Sequence, residues 1–141
     1  MIFQRKTGTL FLVSSCLIGL ASRYDGQIKK NDECLSFLEN KIWLPFCPEQ
    51  LGGLATPRVA ADIVGGDGNA VLDGKARVVT KDGCDVSSQF IDGARQVLAL
   101  TRMQHVCGVC LKARSPSCAV NGRQGVTAAL LARNGFTLYE F

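Results

Sequence analysis

Three cysteines in this sequence follow apolar runs that are typical of buried strands. They are Cys16 after residues 9–13, Cys47 after residues 42–46, and Cys118 shortly after residues 106–111. In a parallel sheet the loops that follow the strands open on one edge, which is where α/β proteins bind ligands. The three thiols are therefore expected to approach one another, although about 30 and 70 residues separate them along the chain.

Converging thiolates would form a metal site. Thiolates are soft ligands that favour zinc, copper(I) or iron–sulfur clusters. Four thiolates would complete a structural zinc site or a cluster, whereas three leave one metal position open to water or substrate. Widely separated single cysteines are also often small, half-buried apolar side chains. The spacing leaves both interpretations open.

Polar side chains near two of these cysteines suggest further chemistry. Glu49 follows Cys47 by two residues, in a loop that ends at Leu51-Gly52-Gly53. A carboxylate beside a metal with an open position is suited to activating water or relaying a proton, although Glu49 could equally be a solvated surface residue. Ser115 and Ser117 flank Pro116 just before Cys118, where serine hydroxyls commonly bond their own backbone to form a turn.

The remaining cysteines and the one histidine are interpreted as structural. Cys107 and Cys110 form a CxxC motif, but residues three apart in a strand point to opposite faces. The two thiols are therefore predicted to pack in the core rather than to share a metal or a disulfide. Cys34 and Cys84 are predicted to be structural. His105 lies at a predicted helix end, where a cation suits the helix dipole.

The composition is that of one ordinary globular domain. The 141 residues are 47% hydrophobic and 20% charged, which argues against long disorder. The net charge of +4 comes from scattered basic residues, so a grip on the nucleic-acid backbone is not indicated. A small anionic ligand is compatible with this charge.

The seven cysteines are odd in number and irregularly spaced, which favours thiols in a reducing, cytoplasmic compartment over a secreted disulfide scaffold. Export is the alternative, because Arg5 and Lys6 precede the apolar residues 10–13, and residues 13–16 look like a lipoprotein processing site. The apolar core there is only about five residues, below the roughly 7–15 of a signal peptide. No run approaches the roughly 18–20 apolar residues of a membrane span, so no membrane association is predicted.

The order of the elements predicts an α/β fold. Strands are predicted at about residues 9–13, 42–46, 76–80, 106–111 and 136–139, and helices at about residues 31–40, 85–105 and 125–133. Asp85 is expected to cap the longest helix, and the Gly-Gly-Asp-Gly of residues 65–68 is interpreted as a turn. Alternating strands and helices favour a mostly parallel sheet covered on both faces, in a single-domain, Rossmann-like three-layer sandwich.

Several motifs, in one order along the chain, together resemble those of a known family. They are CLIG at residues 16–19, RYDG at 23–26, CPE at 47–49, LGG at 51–53, TPR at 56–58, GDG at 66–68, VLDGKARV at 71–78, KARSPSC at 112–118 and GVTAALL at 125–131. The pattern resembles the thiouracil desulfidase (TudS) family, which includes the YbbK-type proteins. The resemblance covers nearly the whole chain from Leu10 onward.

The resemblance implies both a cofactor and a reaction. It implies a [4Fe-4S] cluster that is held by Cys16, Cys47 and Cys118, with a fourth iron left open to act as a Lewis acid without net redox change. Members of the family remove sulfur from thiolated uracil compounds, replacing the thiocarbonyl with a carbonyl and releasing sulfide. Glu49 matches the family's catalytic glutamate, which activates the water or shuttles its proton. Ser115 matches the serine that orients or protonates the substrate ring.

The resemblance also implies the kind of substrate, a small thiolated pyrimidine or its nucleotide, with thiolated RNA less expected. One departure from the family pattern is the short segment 119–124, which leads almost directly into the next helix, where family members usually have a longer loop. If that loop normally covers the pocket, the alternative is a non-catalytic or degenerate iron–sulfur-binding protein. Residues 1–9 are expected to be an N-terminal extension to a desulfidase domain at 10–141.

Overall fold

The structure is a computed structural model that describes residues 10–141. The predicted extension at residues 1–9 and the first residue of the first predicted strand lie outside this range. The strands are β1 (Leu10–Ser14), β2 (Ile42–Phe46), β3 (Ala61–Val64), β4 (Arg77–Thr80), β5 (Val106–Leu111) and β6 (Leu138–Glu140). The helices are α1 (Asp32–Leu38), α2 (Pro48–Leu51), α3 (Gly68–Leu72), α4 (Ser87–Met103) and α5 (Val126–Arg133), with a 3-10 helix at Ser15–Ile18.

Four of the strands form a parallel sheet in the order β2-β1-β5-β6, and β3 and β4 form a separate antiparallel pair. Helix α1 packs on one face of the parallel sheet, in a core cluster of Phe11, Val13, Leu17, Cys34, Leu38 and Cys110. Helices α4 and α5 pack on the other face, in a cluster of Leu12, Phe46, Val97, Leu98, Val109, Leu111, Cys118, Ala128 and Leu131. The predicted α/β fold with a mostly parallel sheet between helices is confirmed.

The glycine-rich middle of the chain has more regular structure than the sequence indicated. Neither β3 nor α3 was predicted there. The chain does bend at residues 65 and 66, as the interpretation of residues 65–68 as a turn expects, and this bend joins β3 to α3. The Asp67 carboxylate accepts the Ala70 N–H at 3.0 Å and caps α3, which begins at Gly68. A Cβ on Gly68 would lie 2.3 Å from the Gly125 carbonyl oxygen, so glycine is needed where α3 meets the start of α5. The requirement for glycine at position 68 thus comes from its contact with Gly125, which is distant along the chain.

Two local predictions are corrected in detail. The N-cap of α4 is Val86 rather than Asp85, although the Asp85 carboxylate does accept the Ser87 N–H at 2.9 Å. The core packing that was predicted for the CxxC motif is confirmed for Cys110, which is buried, but the two thiols do not point to opposite faces, because Cys107 packs against the same cluster beneath α1. The β1–β5 register shifts by one residue at Cys107, and this irregularity interrupts the strict alternation of side chains.

The short helix α2 replaces the loop that was predicted after Cys47, and its contact with α4 is unusually close. A Cβ on Gly93 would lie 1.9 Å from the Pro48 carbonyl oxygen, and a Cβ on Gly52 would lie 2.0 Å from the Gln89 carbonyl oxygen. Glycine at both positions lets the two backbones touch. This contact sets the position of α2, which carries Glu49.

We expect Gly93→Ala to lower the free energy of unfolding by about 1–3 kcal/mol, because the new methyl group meets backbone atoms that cannot rotate away. Urea denaturation of purified protein measures the loss. Arg95→Ala is the control on the same helix, since its side chain is 71% exposed, and it should change stability by no more than about 0.5 kcal/mol. Equal stability of Gly93→Ala and the original protein would show that α2 and α4 are not in backbone contact.

The segment after Cys118 is held by a carboxylate at the carboxyl end of β6, the edge strand that pairs with β5. Glu140 Oε2 accepts the backbone N–H groups of Val120 at 2.7 Å and Asn121 at 2.9 Å, and Oε1 accepts the Asn121 side-chain N–H at 3.0 Å. Burial by itself raises the pKa of Glu140, but the N–H donors of Asn121 and Val120 outweigh burial and leave the pKa below its ordinary value.

We expect Glu140→Gln to lower the free energy of unfolding at pH 7 by about 1 kcal/mol, since a partly exposed charge-assisted contact is lost. Because the folded pKa lies below the ordinary value of 4.5, this contribution is present above that value and is lost as the pH falls through the folded pKa. Urea denaturation at pH 7 and at about pH 3 measures the difference, with the exposed Glu39→Gln as control. A stability difference between variant and original that is the same at both pH values would contradict the assignment.

Candidate active site

A cavity of about 360 Å³ opens at the carboxyl ends of β1, β2 and β5. Its wall is built from the three loops that follow these strands and from the segment that leads into β3. The lining residues include Ser14, Cys16, Ser22, Arg23 and Tyr24 after β1, Cys47, Pro48 and Glu49 after β2, and Lys112 to Ser117 after β5. The expectation that these loops meet at one edge of the sheet is therefore correct for their backbones.

Two of the three predicted ligand thiols line this cavity, and the third, Cys118, is buried behind the lining residues Ser14 and Ser117. The Ser14 hydroxyl oxygen is 3.5 Å from Cys16 Sγ and 4.0 Å from Cys118 Sγ, so both sulfurs contact one atom. Cys47 Sγ lies 3.8 Å from the carbonyl oxygen of Ser22, which belongs to the loop after β1, as Cys16 does. Cys16 and Cys47 line the cavity, and Cys118 is 2% exposed.

The donor set suits a cluster better than a single ion. Among residues 10–141, no three Cys, His, Asp or Glu side chains stand close enough together to hold one metal ion. A polynuclear cluster binds each cysteine thiolate at a different iron, so its ligands can stand farther apart. Two sulfurs on the cavity wall and a third buried close to both fit such a group.

Burial raises the pKa of Cys118 to about 12; the Ser117 hydroxyl lowers it, and the negative charge of nearby Cys16, Glu49 and Cys47 adds to the rise. Burial also raises the pKa of Cys47, in spite of its backbone hydrogen bond with Gln50 and the positive charge of Arg58. Both thiols therefore hold their protons at neutral pH in the absence of a cation. A bound metal would displace these protons, because the metal ligand is the thiolate.

The loop that carries Cys118 is held in place by the start of α5. The N–H groups of Val126 and Thr127 donate to the carbonyl oxygens of Pro116 and Ser117, at 3.0 and 2.9 Å. A Cβ on Gly125 would lie 2.4 Å from the Ser117 carbonyl carbon, so only glycine allows this approach. The helix thus fixes the backbone that carries Ser117.

Both carboxylate oxygens of Glu49 are engaged. Oε1 accepts a hydrogen bond from Arg58 Nε at 2.9 Å, and Oε2 accepts one from Ser117 Oγ at 2.9 Å. The Glu49 side chain is only 15% exposed, so it is not the solvated surface residue that the sequence left open. It is a fixed carboxylate on the wall of the cavity.

Of the two serines before Cys118, Ser117 rather than Ser115 contacts Glu49. Ser115 Oγ accepts the N–H groups of Ser117 at 3.2 Å and Cys118 at 3.1 Å, which is the turn-forming role expected from sequence. Ser115 also lines the cavity, so its predicted assistance to the substrate stays a prediction. Ser117 was considered only as a turn former, and its position beside Cys118 was the available signal for a larger role.

Arg58 is a second residue that sequence reasoning did not single out. Its side chain is 8% exposed and pairs with Glu49 on the cavity wall. The available signal was its place in the TPR motif of residues 56–58, which is among the motifs that resemble the family but was given no role. Only the folded chain shows that the two charges meet.

The cavity wall carries more positive than negative charge. Its cationic lining residues are Arg23, Lys29, Arg58, Lys112 and Arg114, whereas its acidic lining residue is Glu49. Arg23 is paired with Asp25 at 3.0 Å, and Lys112 Nζ donates to the Ala113 carbonyl oxygen at 3.3 Å. The excess of positive charge favours an anionic ligand.

The short segment 119–124 leads away from this cavity. Glu140 holds Val120 and Asn121, and Arg123 donates to the Ile63 carbonyl oxygen at 2.8 Å on β3. Among the described residues that line the cavity, those near Cys118 are 112–117 and none belongs to 119–124. In this chain the segment therefore forms no part of the cavity wall.

Comparison with known proteins identifies the family. The model of the 2-thiouracil desulfurase family matches residues 11–140 of this chain. The chain belongs to the 2-thiouracil desulfurase family. The resemblance that was recognised from sequence motifs is thereby confirmed.

Two relatives support membership of the 2-thiouracil desulfurase family. The chain is 40% identical over 139 residues to the uncharacterized protein YbbK of Bacillus subtilis (strain 168), with 90% of this chain and 92% of YbbK covered. It is also similar to a solved structure described as the [4Fe-4S]-dependent thiouracil desulfidase TudS, with 37% identity and a TM-score of 0.75. That match covers 96% of this chain and 91% of the TudS chain.

As for membrane association, none of the helices in residues 10–141 has the length and apolar character to cross a bilayer.

Proposed function

We propose that residues 10–141 form a desulfidase domain that removes sulfur from a thiolated uracil compound, with Cys16, Cys47 and Cys118 holding a [4Fe-4S] cluster. The observation that carries this proposal is the meeting of the three cysteine loops with Glu49 at one cavity. The similar solved structure is described as [4Fe-4S]-dependent, which supports the same cofactor in this chain.

The cluster would supply a Lewis acid, because three protein ligands leave one iron able to bind the thiocarbonyl sulfur of the substrate. The reaction converts the thiocarbonyl and one water into a carbonyl and sulfide, so no electrons are gained or lost. The protein must therefore place a water at the ring carbon and move its protons. Glu49 is the carboxylate on the cavity wall that can do so.

In the proposed mechanism Glu49 Oε2 accepts a proton from the attacking water and returns it to the departing sulfur or to the ring. The Ser117 hydroxyl donates a hydrogen bond to the same oxygen and so fixes the orientation of the Glu49 carboxylate. Ser115 orients the substrate ring or gives it a proton, from its place on the cavity wall. Retention of the three cysteines and Glu49 around the cavity supports a catalytic protein, and the turnover measurement below distinguishes it from a degenerate one.

We propose a small thiolated pyrimidine or its nucleotide as the substrate, with thiolated RNA less expected. About 360 Å³ lies at the lower end of the range for small-molecule sites. Its cationic wall favours a thiolated pyrimidine nucleotide over the free base, because the nucleotide carries phosphate charge. A cluster with an exposed iron also fits the reducing, cytoplasmic compartment that the cysteine content predicts.

We expect Cys47→Ser to lose the cluster, and Glu49→Gln to keep the cluster but lose turnover by about 100-fold or more. Each protein is reconstituted anaerobically with iron and sulfide, and the decrease of the thiocarbonyl absorbance band of thiouracil measures turnover. Iron and sulfide content measures the cluster. Cys84→Ser, which changes an exposed thiol, is the control and should retain both. A full rate in Glu49→Gln would exclude Glu49 as the base, and a full cluster in Cys47→Ser would exclude Cys47 as a ligand.

We also expect Lys112→Ala to raise KM for a thiolated uridine monophosphate about 5-fold or more, while KM for free thiouracil changes little, since the base lacks the phosphate. The difference should shrink at high salt, because salt screens the charge. Lys75→Ala, on the exposed turn before β4, is the matched control. Equal changes of KM for both substrates would indicate that Lys112 does not meet a phosphate.

A further inference from the structure

The Arg58 guanidinium is the most extensively bonded side chain on the cavity wall. It donates from Nε to Glu49 Oε1 at 2.9 Å and from one terminal nitrogen to the Ser22 carbonyl oxygen at 3.0 Å. Its other terminal nitrogen donates to Thr56 Oγ1 at 2.8 Å and to the Ala55 carbonyl oxygen at 3.3 Å. Each nitrogen of the guanidinium group is therefore engaged.

These bonds join separate parts of the site. Ser22 belongs to the loop after β1, and its carbonyl oxygen also contacts Cys47 Sγ at 3.8 Å. The Arg58 backbone N–H donates to the Tyr24 carbonyl oxygen at 2.8 Å, so backbone and side chain attach to the same loop. Glu49 belongs to α2, which follows β2. One buried guanidinium thus ties the carboxylate to the loop beside a proposed cluster ligand.

Glu49 has space on its other side. A second cavity of about 160 Å³ is also lined by Glu49 and Arg58, together with apolar residues that include Leu54, Val86 and Phe90. The pair therefore forms part of the boundary between the two cavities. Without the guanidinium, the carboxylate would lose its Oε1 partner and would be free to turn away from Ser117.

We propose that Arg58 is a positioning residue that fixes the Glu49 carboxylate at the boundary, so that Oε2 is the oxygen presented to the substrate. The proposal rests on the proposed role of Glu49 as the group that carries the proton. Arginine suits this task because its planar group donates in several fixed directions at once, whereas lysine is a single, mobile point charge. A displacement of the carboxylate by about 1 Å is enough to lower the rate about 100-fold.

Three variants test this role. Arg58→Met removes the charge and keeps most of the volume, and we expect kcat to fall about 100-fold while KM and the iron and sulfide content stay within about 2-fold. Arg58→Lys should lie between Arg58→Met and the original protein. In Arg58→Ala, added guanidinium chloride at millimolar concentration should restore part of the rate, and it should restore none in Glu49→Gln.

A crystal structure tests the same role independently of the kinetics. In a crystal structure of Arg58→Met without the cluster, the Glu49 carboxylate should have left Ser117 Oγ. Arg133→Met is the matched control, since Arg133 at the end of α5 donates to Asn69 on α3 at 2.9 Å and to Asp73 at 3.0 Å, and none of the three residues lines the cavity. Its loss should lower stability without changing kcat.

The outcomes separate the two proposals. A full rate in Glu49→Gln overturns the proposed function, whatever Arg58 does. An inactive Glu49→Gln with a fully active Arg58→Met, or an unchanged Glu49 conformation in that variant, overturns the positioning role alone. Loss of the cluster in all three Arg58 variants, without rescue by guanidinium, also overturns it and makes Arg58 a structural residue.

Discussion

The structure depends above all on the parallel pairing of β1 with both β2 and β5. Ser14 lies opposite Phe46 in one ladder, and Val13 lies opposite Cys110 in the other, so the three strands finish at nearly the same level. Each chain segment must then turn at the same edge of the sheet. The loops after these strand ends build the site together, and no local sequence element contains it.

The second requirement is electrostatic. The cavity brings together thiols, a carboxylate and several cations in a partly buried space, where an unpaired charge is costly. Glu49 is stabilised by a guanidinium on one oxygen and a hydroxyl on the other. The thiols with raised pKa are neutral until a cation reaches them, so the protein part of the site can fold without strong repulsion between sulfurs. A metal cluster would then change the charge of the whole cavity.

Close backbone contacts hold these parts at fixed positions. Glycine at positions 52 and 93 brings α2 against α4, and glycine at 125 brings the start of α5 against the loop before Cys118. The donors at the start of α5 and the carboxylate of Glu140 then hold the backbone on both sides of that cysteine. The residues that contact the cavity are thus supported by contacts that lie outside it.

The sequence by itself determined the alternation of strands and helices, the strand-end position of the cysteines, and the family, because periodicity and motif order are local properties. It did not reveal α3, the register shift at Cys107, or the pairing of Glu49 with Arg58 and Ser117. Those features depend on the approach of residues distant along the chain, and their energies come from burial and geometry that a linear pattern does not contain. Only the tertiary structure, by placing a guanidinium and a hydroxyl on either side of one carboxylate, decided which side chains act together.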